Sequence, residues 1–181
     1  ICVFCYGCSP PAILATGGST AMVVAEGERS LGTVVDDATI KVNVAAKLLS
    51  AGNNLFVDVN TTVLEGRVLL TGLVDNQELR IEVVRLVWEV EGVREVVNEV
   101  DIGNRESLKD YANDLWINTQ ARGIAAKTIG LKAVAYNFET IKGKIYIAGI
   151  TTNPEQLENM VEALKSIKGV NEIINYVIIK K

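Results

Sequence analysis

An α+β fold built from two tandem α-β-β-α-β domains, each with two helices packed on a three-stranded mixed sheet, is what this sequence predicts. Three observations predict it. The chain repeats itself at a constant offset of 77 residues, without a gap, from Asp36–Ile102 to Asn113–Ile179. Within each copy the apolar period passes between the helical 3.6 and the strand value of 2. Glycines recur at the same two places in both copies, inside a hairpin and after the second helix.

The repeat is read residue by residue. Asp37 maps to Asp114, Ile40 to Ile117, Val57 to Val134 and Asn60 to Asn137. Gly66 maps to Gly143, Gly72 to Gly149, Glu78 to Glu155, Gly92-Val93 to Gly169-Val170, Glu95 to Glu172 and Asn98 to Asn175. Two units are too few for a solenoid, so each copy is expected to be a small domain with its own core.

Each element follows in order. A first helix is expected over roughly Asp37–Leu49, with Asp36-Asp37 read as caps at its start. Val57, Val59, Thr61 and Val63 alternate with more polar neighbours, as in a half-buried strand. Glu65-Gly66-Arg67 supplies a turn, and the more continuously apolar Val68–Leu73 supplies the returning strand of an antiparallel hairpin. Asp75-x-x-Glu78 has the form of a capping box. Behind it Leu79, Val83, Leu86, Val87 and Val90 share one helical face. Gly92 stops the helix, and Val93–Ile102 is the third strand, reached by a crossover that makes it parallel to the second. In the second copy the helix begins near Asp114, with strands near Ala133–Phe138 and Lys144–Ile150. Thr152-Asn153-Pro154-Glu155 opens a helix carrying Leu157, Met160, Val161, Leu164 and Ile167, with Pro154 tolerated in its first turn. Gly169 ends that helix and Val170–Ile179 closes the copy. The domain boundaries are accordingly 36–102 and 113–181, joined by a linker over 103–112.

Composition excludes several functions. There is no histidine, which removes the commonest general base and metal ligand. The net charge of −4 argues against a general nucleic-acid binder. Ser and Thr therefore lack an activating partner, and Asp and Glu are scattered without ligand spacing. No catalytic residue, cofactor or metal is expected. Gly17-Gly18-Ser19-Thr20 lacks the lysine of a phosphate loop. No apolar run is long enough for a transmembrane helix.

All 3 cysteines fall at Cys2, Cys5 and Cys8. The spacing matches part of an iron–sulfur motif, but a fourth ligand is missing. Residues 1–8 read better as the end of a secretory apolar region. Gly7-Cys8-Ser9 then has the form of a lipoprotein cleavage point, with Cys8 as the acylated residue; an ordinary apolar terminus is the other reading. Residues 9–35, rich in Gly, Ser, Thr and Ala, read as a flexible tether.

The duplicated unit, with glycine at the hairpin and after the second helix, resembles the BON domain family. Two such domains behind a candidate lipidated cysteine are similar to the family's dual-domain outer-membrane lipoproteins of Gram-negative bacteria. Arg29-Ser30-Leu31-Gly32-Thr33-Val34-Val35-Asp36-Asp37 and Asn113-Asp114-Leu115-Trp116-Ile117-Asn118-Thr119 carry the match most specifically, within a resemblance covering residues 29–181. The resemblance implies a lipid-anchored protein at the periplasmic face of the outer membrane, binding anionic phospholipid without catalysis and supporting membrane integrity. It places the lipid contact on the first helix of the second domain, which here means Trp116, Ile117, Gln120, Arg122 and Lys127.

The residues themselves bear on that expectation. Residues 36–102 hold 6 Lys and Arg against 12 Asp and Glu, a balance of −6; residues 105–181 hold 11 against 8, a balance of +3. Each basic residue near an anionic bilayer contributes about 1 kcal/mol, so the second domain is the one suited to approach it. Drift between copies is the other reading of this asymmetry. Trp116 replaces Thr39 of the first copy, so the shared fold does not require an aromatic there. Tryptophan suits a membrane interface; packing between the domains is its alternative. Ile81, Val84 and Trp88 form an extra apolar stripe whose counterparts are Glu158, Val161 and Lys165. That stripe is read either as packing between domains or as the docking face of an adaptor for an envelope protein partner.

Overall fold

The computed structural model describes residues 31–52, 55–103 and 108–180. The first copy comprises α1 (Leu31–Ala51), a helical turn α2 (Leu55–Asp58), β1 (Val59–Leu64), β2 (Arg67–Val74), α3 (Gln77–Trp88) and β3 (Glu95–Ile102). The second comprises α4 (Leu108–Ile129), a 3-10 helix (Gly130–Ala135), β4 (Tyr136–Ile141), β5 (Lys144–Thr151), α5 (Pro154–Leu164) and β6 (Glu172–Ile179). In each sheet the hairpin is antiparallel and the third strand is parallel to the second, in the order β1-β2-β3 and β4-β5-β6. The expected α+β architecture is therefore present twice.

The first helix of each copy begins earlier than expected, because its aspartate does not cap it. α1 takes in Leu31–Val35 of the segment read as tether, and α4 takes in residues 108–112 of the segment read as linker. Asp37 lies inside α1 and accepts from the backbone N–H groups of Glu65 and Gly66 at 2.8 and 2.9 Å. Asp114 repeats this with Lys142 and Gly143 at 2.8 and 2.9 Å. Each hairpin is closed by two residues, both at positive φ: 54° and 78° in the first copy, 50° and 73° in the second. Such a turn points its amides outward from the ladder. The carboxylate from the helix satisfies them and so ties helix to hairpin.

Three further corrections are local. Leu55–Asp58 is helical, so Val57 is exposed and the strand starts at Val59, while Leu55 drops into the core. In the second copy the 3-10 helix delays the strand from Ala133 to Tyr136. The cap of α3 is Asn76 rather than Asp75: its side chain accepts from Leu79 N at 2.9 Å, and Asn153 does the same with Gln156 N for α5.

Each sheet buries both faces. On β2, Val68, Leu70 and Val74 join Ile40, Val44, Leu48, Val83 and Val87 under the helices. On β5, Ile145 and Ile147 join Ile117, Ala121, Ala125, Met160 and Leu164 in the equivalent core. The other faces meet each other. Leu64 and Leu69 pack with Ala148, Ile150 and Ile178, and Leu73 packs with Ile141 and Tyr146. These two clusters are images of one another under the 77-residue offset, so the copies are related by an approximate two-fold axis. Polar contacts close the seam: Asn60 to Glu139 at 2.9 Å, the Tyr176 hydroxyl to Glu99, and Lys180 to Glu65. Burial against two layers is why β2 reads as a continuous apolar run rather than an alternating one.

The outer edges of β3 and β6 carry a matching device. Asn98 accepts from Val100 N at 3.1 Å, and Asn175 accepts from Val177 N at 2.9 Å. A side chain thus takes an amide of β3 and of β6, which weakens each of these edges as a template for a further strand.

Candidate functional site

The lipid-contact expectation rests on α4, and the helix separates its five residues. Ile117 is fully buried in the second core. It is not a surface residue, which corrects the expectation: one step of about 100° along the helix turns it from the outward face to the sheet. Trp116 points the other way and is 46% exposed. Gln120 and Lys127, four and eleven residues on, fall on the same outward face and are exposed. Arg122 lies roughly 120° around the helix from Trp116. Its Nη2 donates to the Phe138 carbonyl of β4 at 3.1 Å. It lines a cleft of about 350 Å³ between the copies, together with Lys41, Asn60, Asn137 and Glu139.

Neither tryptophan packs between the copies. The seam is made by the sheet faces, while Trp116 and Trp88 stand 46% and 52% exposed on helices. Ile81 is exposed as well, and Val84 is half-buried against the first core. The inter-domain reading of both features is thereby removed. Cys8 lies outside the described residues.

The structure adds apolar surface that sequence reasoning missed. Leu115 is exposed on α4 next to Trp116, Tyr111 is exposed about 140° around the helix from it, and Leu131 and Val134 are exposed on the 3-10 helix. Lys127 and Lys132 accompany them. The available signal was the comparison of copies: Leu115 stands where the first copy has Ala38, and Leu131 where it has Asn54. Large apolar residues that only one copy carries are not demanded by the shared core.

On α3, Arg85 bonds both Glu82 and Glu89, and Lys47 of α1 reaches Glu89 at 2.8 Å. The guanidinium and the ammonium hold Glu82 and Glu89 below the ordinary carboxylate range. At the seam, burial pushes Tyr146 up to about 12. Burial and the Glu99 carboxylate do the same to Tyr176. Both phenols therefore stay neutral at physiological pH. Among the described residues no cluster of His, Cys, Asp and Glu is arranged to hold a metal ion, and no helix is long and apolar enough to cross a membrane.

The sequence pattern of the BON domain matches residues 36–104 and 113–181, the two copies just described. The chain belongs to the BON domain family. It is 35% identical over 147 residues to the "Uncharacterized protein in gshII 5'region" of Anaplasma centrale, covering 81% of this chain and 96% of that one. It is 29% identical over 178 residues to the outer membrane lipoprotein DolP of Haemophilus influenzae, covering 95% of this chain and 88% of that one. The dual-BON arrangement is thus like that of DolP. Among solved structures, the C-terminal domain of CdsD, the structural protein of the type III secretion system of Chlamydia trachomatis, aligns over 77% of this chain and 96% of that one, with 14% identity and a TM-score of 0.35.

Proposed function

We propose that this chain is a non-enzymatic lipoprotein of the Gram-negative envelope, held by acylated Cys8 at the periplasmic face of the outer membrane, whose second BON domain binds anionic phospholipid and so supports membrane integrity. The observation that carries the reading is Trp116: a large aromatic, 46% exposed, on the face of α4 turned away from the core, where the first copy has Thr39. A half-exposed indole of this kind suits the headgroup layer, with its ring buried among acyl carbons and its N–H left wet. Leu115, next to Trp116 on the exposed side, enlarges the apolar contact, and Gln120 and Lys127 on the face of Trp116 are placed for headgroups. The domain balance of +3 favours an anionic surface, while the −6 of the first domain keeps that domain away from it. Ile117 has no part in this surface, and Arg122 lies off it. The relationship to DolP, by name an outer membrane lipoprotein, supports the location.

Co-sedimentation with vesicles tests the reading. The unacylated protein is expected to sediment with phosphatidylglycerol vesicles at low salt, to do so less at physiological salt, and to stay in the supernatant when mixed with neutral vesicles. Trp116→Glu is expected to abolish binding without loss of fold. Unchanged binding by this variant would refute the assignment of α4.

A further inference from the structure

Residue 80 occupies a position that the shared fold uses for its core. Its equivalent in the second copy is Leu157, 3% exposed and part of the second core. The first copy has Arg80 there, and its Nε is buried without a hydrogen-bond partner. No carboxylate among the described residues pairs with it. The neighbouring position is inverted too: Ile81, 60% exposed, stands where the second copy has Glu158. Arg-Ile thus stands where the second copy has Leu-Glu, with a half-buried arginine at the core-side position and the apolar side chain outward. A buried donor left unmade is costly, and the second copy shows that the fold does without it.

Arg80 lines a groove of about 330 Å³ between α3 and β3, with Gln77, Ile81, Val84, Arg85 and Asn98. Arg85 is already engaged by Glu82 and Glu89. Arg80 is therefore the cation in this groove with donor capacity to spare, beside an apolar wall of Ile81 and Val84 that continues along the helix to Trp88. We propose that this groove docks a segment of a partner protein that sets one carboxylate against Arg80 and a large apolar side chain against Ile81, Val84 and Trp88. Strand addition is not the mode, because Asn98 already accepts from Val100 N on that edge. The −6 balance of the domain opposes a polyacidic ligand, which limits the match to a single carboxylate within an apolar stretch. The inference is independent of the membrane reading, which concerns the other domain.

The test pans a random displayed-peptide library on the full chain, with the double variant R80L/I81E as soluble competitor. That variant carries the residues that the second copy holds at these positions, and circular dichroism checks that it is folded. Enriched peptides are expected to place Asp or Glu next to Leu, Ile, Phe or Trp. Made synthetically, they are expected to shift the Trp88 emission of a Trp116→Phe protein, in which Trp88 is the one remaining tryptophan of 2. Binding is expected to fall by about tenfold or more in R80L/I81E, and equally when the peptide carboxylate becomes an amide. Failure to enrich any peptide, or peptides that bind the double variant equally or need no carboxylate, overturns the proposal. So does a loss of anionic-vesicle binding or of self-association in R80L/I81E without peptide recognition, which would assign the groove to lipid or to a second copy of the chain.

Discussion

Replacing Asp37 with alanine removes one carboxylate that serves two backbone amides, and its cost follows from the geometry. The two bonds are 2.8 and 2.9 Å long, and the one to Gly66 is buried. A hydrogen bond to a charged acceptor contributes about 1.5–3 kcal/mol. The two share one side chain, and the Glu65 amide is only partly buried, so water recovers part of the loss. About 3 kcal/mol is expected for Asp37→Ala. Asp114 makes the same pair of bonds at a more exposed turn, where the bond to Lys142 N faces solvent. Asp114→Ala is therefore expected to cost about half as much, because an exposed turn amide finds water. Asp37→Asn keeps the shape and one acceptor oxygen, and falls between alanine and wild type. Urea unfolding followed by far-ultraviolet circular dichroism measures all three. A value for Asp37→Ala within 0.5 kcal/mol of wild type (about the scatter of a neutral surface change) would refute the view that the helix braces the hairpin through this carboxylate. A larger cost at Asp114 than at Asp37 would refute the ranking by burial.

Gly72→Ala is expected to cost more than Gly149→Ala, since an added Cβ would lie 2.1 Å from the Asp58 carbonyl oxygen in the first copy and 2.9 Å from the Tyr136 ring in the second; thermal melting of both variants checks this. Tyr146 and Tyr176 have folded-state values near 12 against an ordinary 10.0, so the neutral phenol favours the folded form. Stability is expected to hold below pH 10 and to fall as pH rises from there through 12, which titration of phenolate absorbance against unfolding measures. Arg80→Leu alone is expected to raise the melting temperature, since it replaces a buried unsatisfied donor with the core residue of the second copy.

Much of this was legible because the chain states its fold twice. Ile40 and Ile117 are the same residue at equivalent positions, and both are buried, at 5% and 0%. Thr39 and Trp116 differ, and the tryptophan is on the surface. Agreement between apolar residues of the long helices marked the core, whereas the shared Val57 and Val134 of the short helical turns are both exposed, and disagreement marked what each copy adds. That rule, applied consistently, would have kept Ile117 out of the lipid-contact set. It also shows Arg80 against Leu157 and Ile81 against Glu158 as the places where the copies part. What it does not supply is the fate of individual polar groups. Asp37 has the chemistry of a cap, and only the placement of the hairpin beside α1 shows that its oxygens are used there. In the same way, that the Arg80 Nε is buried depends on how α3 lies over β3, which no local pattern encodes.

The seam between the copies explains why two domains are fused rather than one used alone. Leu64, Leu69, Leu73 and Val97 lie on the first sheet's outer face, and Ile141, Tyr146, Ile150 and Ile178 on the second's. Such faces, related by a near two-fold axis, are self-complementary, so either domain alone would expose a patch able to pair with its own kind. Glu99 and Tyr176 occupy equivalent positions and bond each other, which places them beside the axis. A pair of first domains would set Glu99 against Glu99, bringing like charges together in a half-buried place, whereas a pair of second domains would set two phenols together. Two phenols can still bond each other, since each donates and accepts, so like charge disfavours only the first-domain pair, which is specificity by exclusion of one wrong partner. The isolated second domain, residues 108–181, is therefore expected to self-associate at micromolar concentration in sedimentation velocity. The isolated first domain, residues 31–103, is expected to do so only when Glu99→Gln removes the repulsion. A first domain that dimerises as readily as the second, with Glu99 intact, would show that the apolar face sets the pairing and that the Glu99–Tyr176 contact is incidental to it.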